Sequence, residues 1–157
     1  MTLQSANFDV LRMLHEVEGH IQPLVEERGL KLVSRVAPNV KPIYADKEKL
    51  TACLINLLGN AVKYTTEGEI RLIAEQLPGA LVISVEDTGI GIAEEHLPNL
   101  FDRFFRCPDE RVQTIEGNGL GLAFAREVVS LHNGQLTVES ELNQGSRFTV
   151  RIPLPSN

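Results

Sequence analysis

The sequence has no run approaching the ~20 consecutive apolar residues that a bilayer-spanning helix needs. Nor does a basic stretch followed by an apolar one open it, so no signal peptide is legible. A soluble piece with no direct membrane contact is expected. Basic residues are not in excess: 15 Lys and Arg stand against 21 Asp and Glu, a formal net charge of -6. Nucleic-acid binders need clustered positive charge to neutralise phosphates, and that class is excluded as a general reading. A single phosphate ligand is not excluded, because helix N-terminal N–H groups and one or two cations can hold one locally. Cysteine is scarce. Cys53 and Cys107 lie far apart and form neither a metal pattern nor a disulfide framework, which points to a reducing, cytoplasmic compartment. No internal repeat or low-complexity segment is present. What remains is 157 residues, 43% hydrophobic and 23% charged, enough for one ordinary folded domain.

Residues 1–7 carry no clear pattern and read as a flexible lead-in or the end of an upstream linker. Val10, Leu11, Leu14, Val17, Ile21, Leu24 and Val25 recur at helical spacing, and Gly29 closes that helix. Residues 30–36 read as a strand, and 43–45 as a short extended piece. Asp46 is a candidate N-cap for a helix running to about Tyr64. Strands follow over 69–77 and 80–86, joined through Pro78-Gly79. A glycine-rich loop (87–92), a short helix (94–100) and an aromatic cluster (101–105) come next. Residues 106–118 are polar and aperiodic, and are expected to be a mobile loop. A helix to about His132 and two strands, 135–140 and 146–152, complete the order. Paired strands alternating with helices predict an α+β two-layer sandwich rather than a doubly wound sheet.

Three stretches carry chemistry. Asn56, Asn60 and Lys63 stand at i, i+4 and i+7 and share one helix face. A solvated face has the same appearance, yet Asn is a poor interior helix former. An amide oxygen is a hard ligand suited to Mg²⁺, and a lysine can meet a phosphate oxygen as a point charge. In Val85-Glu86-Asp87-Thr88-Gly89-Ile90-Gly91-Ile92 a strand delivers a carboxylate ahead of two glycines that admit close backbone approach. A carboxylate there can accept from an exocyclic amine such as adenine's, although a plain turn would have the same composition. In Gly117-Asn118-Gly119-Leu120-Gly121-Leu122 alternate glycines open a helix and gather N–H groups into an anion site. No Gly-Lys-Ser/Thr follows, so it is not a Walker A loop, and the strand context of a Rossmann fingerprint is missing.

Singly each signal is weak; in this order, about 30 residues apart, they are specific together. The chain resembles the GHKL ATPase superfamily, and within it the histidine kinase catalytic domain, over roughly residues 8–153, with 154–157 as a tail. Residues 54–64 resemble the family's asparagine box, 87–91 its first glycine box, 101–106 its phenylalanine box, 117–122 its second glycine box and 145–150 its closing glycine-containing strand. The resemblance implies a Bergerat fold: a mixed, mostly antiparallel sheet, helices on one face and a mobile ATP lid over 106–118. It implies ATP and Mg²⁺ as cofactors. Asn60 would coordinate the metal, supported by Asn56. Lys63 would touch phosphates and Tyr64 would line the pocket. Asp87 would read the adenine amine, with Gly89, Gly91 and Ile92 shaping the base pocket. Gly117, Gly119, Leu120, Gly121 and Leu122 would cap the triphosphate. Arg106 would reach the γ-phosphate, and Thr149 would approach the base through water. Phe101, Phe104 and Phe105 would serve either as core and lid anchors or in docking a partner helix.

Three functions fit that resemblance: a histidine kinase catalytic domain, a self-sufficient GHKL ATPase, or a nucleotide-binding module without turnover. Hydrolysing relatives carry a general-base glutamate four residues before the metal-binding asparagine. Here that position is Asn56, which favours phosphoryl transfer to a histidine. The acceptor is not expected among His15, His20, His96 or His132. His15-Glu16 starts like the acceptor motif, but Pro23 comes too late. The implied partners are therefore a dimerisation and histidine-phosphotransfer domain of the same kinase and, indirectly, a response regulator. The parent could be membrane-anchored.

Overall fold

The computed structural model describes residues 1–115 and 117–155. Glu116 of the expected lid and Ser156–Asn157 of the expected tail lie outside them. The elements run β1 (Ala6–Phe8), α1 (Val10–Glu27), β2 (Lys31–Val36), β3 (Ile43–Ala45), α2 (Lys47–Lys63), β4 (Glu69–Leu77) and β5 (Ala80–Asp87). A 3-10 turn (Glu94–Asn99), α3 (Glu110–Gln113), α4 (Gly121–Leu131), β6 (Gln135–Glu141) and β7 (Gly145–Pro153) follow. The main sheet has the order β2-β4-β5-β7-β6, parallel only between β2 and β4.

Alternation along the strands decides which face meets the helices. Ile70, Leu72 and Ala74 of β4, Leu81, Ile83 and Val85 of β5, and Phe148, Val150 and Ile152 of β7 share the inner face and are buried. α2 packs against β4 and β5, flanked by α1 and α4. A helix so enclosed needs apolar residues around much of its circumference, and Leu50, Cys53, Leu54, Leu57, Leu58, Ala61 and Val62 are all buried. The outer sheet face has no helical layer. Its centre is covered by its own long side chains, as where Arg147 spans to Glu86 at 3.4 Å and reaches the Ser84 hydroxyl.

The helix ends follow their local chemistry. Asp46 caps α2 by accepting from the Lys49 N–H at 3.0 Å. α1 ends in a Schellman motif, with Gly29 at φ +68 and the Leu30 N–H on the Val25 carbonyl at 2.9 Å. α4 closes the same way, with Asn133 in the left-handed position.

The structure refines three sequence readings. Leu11 and Leu24 are more than 40% exposed, because the core-facing stripe of α1 runs through Val10, Met13, Leu14, Val17, Ile21 and Val25 instead. The lead-in is not patternless to residue 7: β1 pairs with β3, and the Gln4 N–H donates to Asp46 at 2.7 Å. A three-residue strand whose partner lies about 37 positions away leaves no local periodicity. The aperiodic stretch 106–118 contains the one-turn helix α3, capped by Asp109.

Candidate nucleotide-binding site

A cavity of about 200 Å³ opens where α2, the loop after β5, the segment after the 3-10 turn and the start of α4 converge. Asn56, Asn60, Lys63 and Tyr64 line it from α2 and its C-cap, and Asp87, Gly91 and Ile92 from the end of β5 onward. Arg106, Gly117, Gly119, Gly121 and Leu122 line it from the far side. Tertiary folding thus brings twelve of the fifteen expected site residues around one cavity.

On α2, the Asn56 amide nitrogen donates back to the Ala52 carbonyl at 2.9 Å. Its oxygen thereby faces Gly121 at the start of α4, where an added Cβ would lie 2.9 Å from that oxygen. Gly121 is what allows α4 to begin this close to α2.

Asp87 sits at the end of β5. Its Oδ1 accepts from the Gly89 N–H at 2.9 Å. Burial pushes its carboxyl above the ordinary carboxylate range, partly offset by the Gly89 and Ser146 backbone N–H groups that it accepts. Gly91, at φ +68, abuts the turn between β6 and β7, where an added Cβ would lie 2.0 Å from the Glu141 carbonyl oxygen. The Asn143 N–H completes that seam on the Ile90 carbonyl at 2.6 Å.

The opposite wall is a folded-over segment. The Arg106 guanidinium donates to the carbonyls of Val112 and Ile115, so it is engaged by the segment's own backbone. Arg111 grips Asp109 at 2.7 Å and reaches the Asn143 side chain at 2.9 Å. The hydrogen bonds from Arg111 hold the Asp109 carboxyl down to about 2. Cys107 lines the cavity, and burial followed by the Asp109 charge raises its thiol, which keeps it protonated. Cys53, buried against α4, is pushed up to about 12 by burial.

The three phenylalanines separate. Phe101 packs edge-on against Phe148 with ring centroids 6.2 Å apart, and Phe105 lines the cavity. Phe104 is 71% exposed at φ +66, a conformation that bulky residues rarely adopt. Its N–H donates to the Gly119 carbonyl, and Gly119 at φ +72 has no room for a Cβ against that backbone.

Three expected residues are not in the wall. Gly89 lies behind Asp87, where a Cβ would meet the Tyr64 carbonyl, the Thr65 hydroxyl and the Asp87 carboxylate within 2.9 Å. Leu120 is the N-cap residue of α4, with its N–H on the Asn118 side chain. Thr149 is on the wrong face altogether: it pairs with Ser84 and lies 3.5 Å from that hydroxyl on the outer sheet surface. Ser146 and Phe148 line the cavity in its place. The sequence held the signal for this correction, since positions 146, 148, 150 and 152 share one strand parity and 149 the other.

A profile of the family described as "Histidine kinase-, DNA gyrase B-, and HSP90-like ATPase" matches residues 45–156. The chain belongs to this ATPase family. Among its relatives are Sensor protein RprX of Bacteroides fragilis, 34% identical over 99% of this chain and 31% of RprX. Sensor histidine kinase YclK of Bacillus subtilis is 32% identical, over 98% of this chain and 33% of YclK. The chain spans about a third of the length of these relatives. Full-length ShkA, solved with AMPPNP, superposes with a TM-score of 0.87 at 32% identity, over 100% of this chain and 32% of ShkA. The catalytic domain of the histidine kinase ThkA matches at a TM-score of 0.83 and 25% identity, over 96% of this chain and 98% of that domain. The fold is thus that of a histidine kinase catalytic domain in the GHKL ATPase family, the α+β sandwich that the sequence implies. None of the described helices is long and apolar enough to cross a membrane.

Proposed function

We propose that residues 8–153 form the ATP-binding catalytic domain of a sensor histidine kinase, which presents Mg-ATP for γ-phosphoryl transfer to a histidine on another region of that kinase. One observation carries this reading. Asn56, Asn60 and Lys63 share a cavity with Asp87 and the glycine-rich start of α4, and no carboxylate stands at position 56. An ATPase that activates water needs a base near the γ-phosphate. An amide at that place fits transfer to an imidazole, which is already nucleophilic when neutral.

In this reading Asp87 accepts from the adenine amine, with Gly91 and Ile92 beside the base and Ser146 taking the place expected of Thr149. Tyr64 lines the site, Lys63 meets phosphate oxygens, and the N–H groups of Gly117, Gly119, Gly121 and Leu122 take the phosphate tail. The donor set fits Mg²⁺ that arrives with the nucleotide. Among the described residues no group of three or more His, Cys, Asp or Glu side chains could hold a metal. Asn60 would supply a neutral hard oxygen beside phosphate oxygens and retained waters, ligands of the kind Mg²⁺ usually takes. The metal contributes charge neutralisation at the phosphates. Catalysis otherwise rests on positioning by Lys63, Asn56 and the glycine-rich helix start.

The cavity is smaller than the roughly 300–1,000 Å³ of sites that enclose drug-sized ligands. Enclosing a whole nucleotide would therefore involve movement of the wall carrying Arg106, Cys107 and Val112. Arg106 would exchange the carbonyls of Val112 and Ile115 for the γ-phosphate. Phe104, the exposed member of its cluster, is free to meet a partner helix. The partners are the kinase's own dimerisation and histidine-phosphotransfer domain and, through it, a response regulator; ThkA, a neighbour in fold, has been solved with its response regulator TrrA. A reducing, cytoplasmic setting accords with the two free thiols.

Calorimetric titration with AMPPNP, with and without Mg²⁺, tests the binding step. No saturation at millimolar ligand would remove the proposal. For transfer, a phosphotransfer domain supplied in trans should acquire acid-labile phosphate while His15 and His20 remain unlabelled. Rapid ATP hydrolysis by the chain alone would instead favour the ATPase reading.

A further inference from the structure

Behind the Asp87 carboxylate lies a buried group for which the site so far has no use. Thr65 follows the C-cap of α2 and is 0% exposed. Among the described residues its hydroxyl is the sole buried side-chain oxygen or nitrogen without a hydrogen-bond partner. Buried hydroxyls are almost always paired, and an unpaired one marks either a cost to the fold or a group reserved for another state. The position is not casual. The point where a Cβ on Gly89 would stand is 2.8 Å from the Thr65 hydroxyl and 2.9 Å from Asp87 Oδ1. Hydroxyl and carboxylate therefore flank the same glycine. The third oxygen there, the Tyr64 carbonyl at 2.4 Å, already accepts from the Ile90 N–H and offers no proton. Thr65 is thus the one donor at this spot whose hydrogen is uncommitted.

Asp87 needs donors. Its carboxyl is pushed up by burial, and two backbone N–H groups offset that only in part. A third donor would favour the ionised form and fix the carboxylate plane. Valine has the shape of threonine without the hydroxyl, so packing alone gives no reason for threonine here.

We propose that Thr65 is a positioning residue for purine selection. With nucleotide bound, its hydroxyl donates to the Asp87 carboxylate, directly or through one water, and holds it towards the 6-amino group of adenine. This rests on the reading of Asp87 as the base-recognising residue. The hydroxyl touches no nucleotide atom and acts only through the carboxylate and the Gly89 loop. No bond is made or broken in this role.

The test compares wild type, Thr65→Val and Thr65→Ser in calorimetric titrations with Mg-ATP and with Mg-purine riboside triphosphate, which lacks the 6-amino group. Thermal unfolding of each ligand-free protein is recorded alongside. Thr65→Val is expected to unfold at or above the wild-type temperature, since the hydroxyl bonds to nothing without ligand. It should bind ATP about fivefold or more weakly, the loss expected for one hydrogen bond, while its affinity for the amine-free analogue stays within about twofold. Thr65→Ser, which keeps the donor, should stay near wild type. The proposal is overturned if Thr65→Val binds ATP like wild type, if it loses both nucleotides alike, or if it is markedly less stable without ligand. Wild type that binds both nucleotides equally would overturn the Asp87 reading, and this proposal with it.

Discussion

Asp87→Asn should trade one base preference for another without unfolding the domain. In the folded chain the carboxylate accepts the Gly89 N–H at 2.9 Å and the Ser146 backbone N–H, leaving lone pairs for the cavity. Asparagine has one oxygen and one NH₂ group. If the oxygen stays on the two backbone donors, the NH₂ faces the adenine amine, donor against donor. If the oxygen turns to the base, the NH₂ faces the backbone N–H groups. Either way a hydrogen bond to a charged acceptor is lost, worth about 1.5–3 kcal/mol, so ATP affinity should fall roughly 10- to 150-fold. The fold should lose little, within about 1 kcal/mol, because removing a buried charge returns part of its desolvation cost. Guanine carries a carbonyl where adenine carries the amine, so the variant's NH₂ gains an acceptor and GTP should bind relatively better. The pH dependence has a definite sign. The folded-state pKa of Asp87 lies above the unfolded value of 3.8. Its ionised form therefore costs stability at neutral pH, and that cost disappears as pH falls through the raised folded value towards 3.8. The affinity it supplies begins to fall as pH drops through the raised folded value, and the variant should lack that component. Titrations with ATP and GTP across pH, paired with urea unfolding, measure all of this. Unchanged ATP affinity in a folded variant, or GTP falling in parallel with ATP, would refute the assignment.

Three further substitutions have expected outcomes. Gly91→Ala should destabilise by about 2–3 kcal/mol, from left-handed strain of about 1–2 kcal/mol and the disturbed Asn143–Ile90 hydrogen bond at about 1 kcal/mol; Gly59→Ala, mid-helix with nothing near its Cβ, should stabilise by about 0.5–1 kcal/mol. Urea midpoints that move the same way for both glycines would contradict that geometry. Asp46→Ala removes the cap of α2 and strands the Gln4 N–H, a combined loss of about 2–3 kcal/mol. Hydrogen exchange should show it first in the opening turn of α2 and in residues 4–8, and unaltered exchange there would dismiss the link.

The sequence by itself determined most of the elements, because their signals are local. The helical stripe of α1, the Asp46 cap, the Gly29 stop and the Pro78-Gly79 hairpin each act within a few residues, and the structure has them nearly where they were expected. It also put Asn56, Asn60 and Lys63 on one helix face, and the structure has them lining one cavity; the resemblance, not the spacing, is what implies their roles. Tertiary structure decided what depends on the facing partner. Leu11 and Leu24 match the helical period of α1, yet the sheet and α2 cover a stripe narrower than that period allows. β1 exists because β3 is there to pair with it, and three residues cannot announce so distant a ladder. Thr149 sat inside a recognisable motif, but its side chain turned away because strand parity is reckoned from Phe148 in the core. Gly89 and Gly121 are glycines for reasons invisible in one dimension: each stands where another segment's oxygen occupies the space a Cβ would need. Thr65 was silent for the same reason. A hydroxyl is ordinary in a sequence and becomes informative only when packing buries it, unpaired, beside the carboxylate of Asp87.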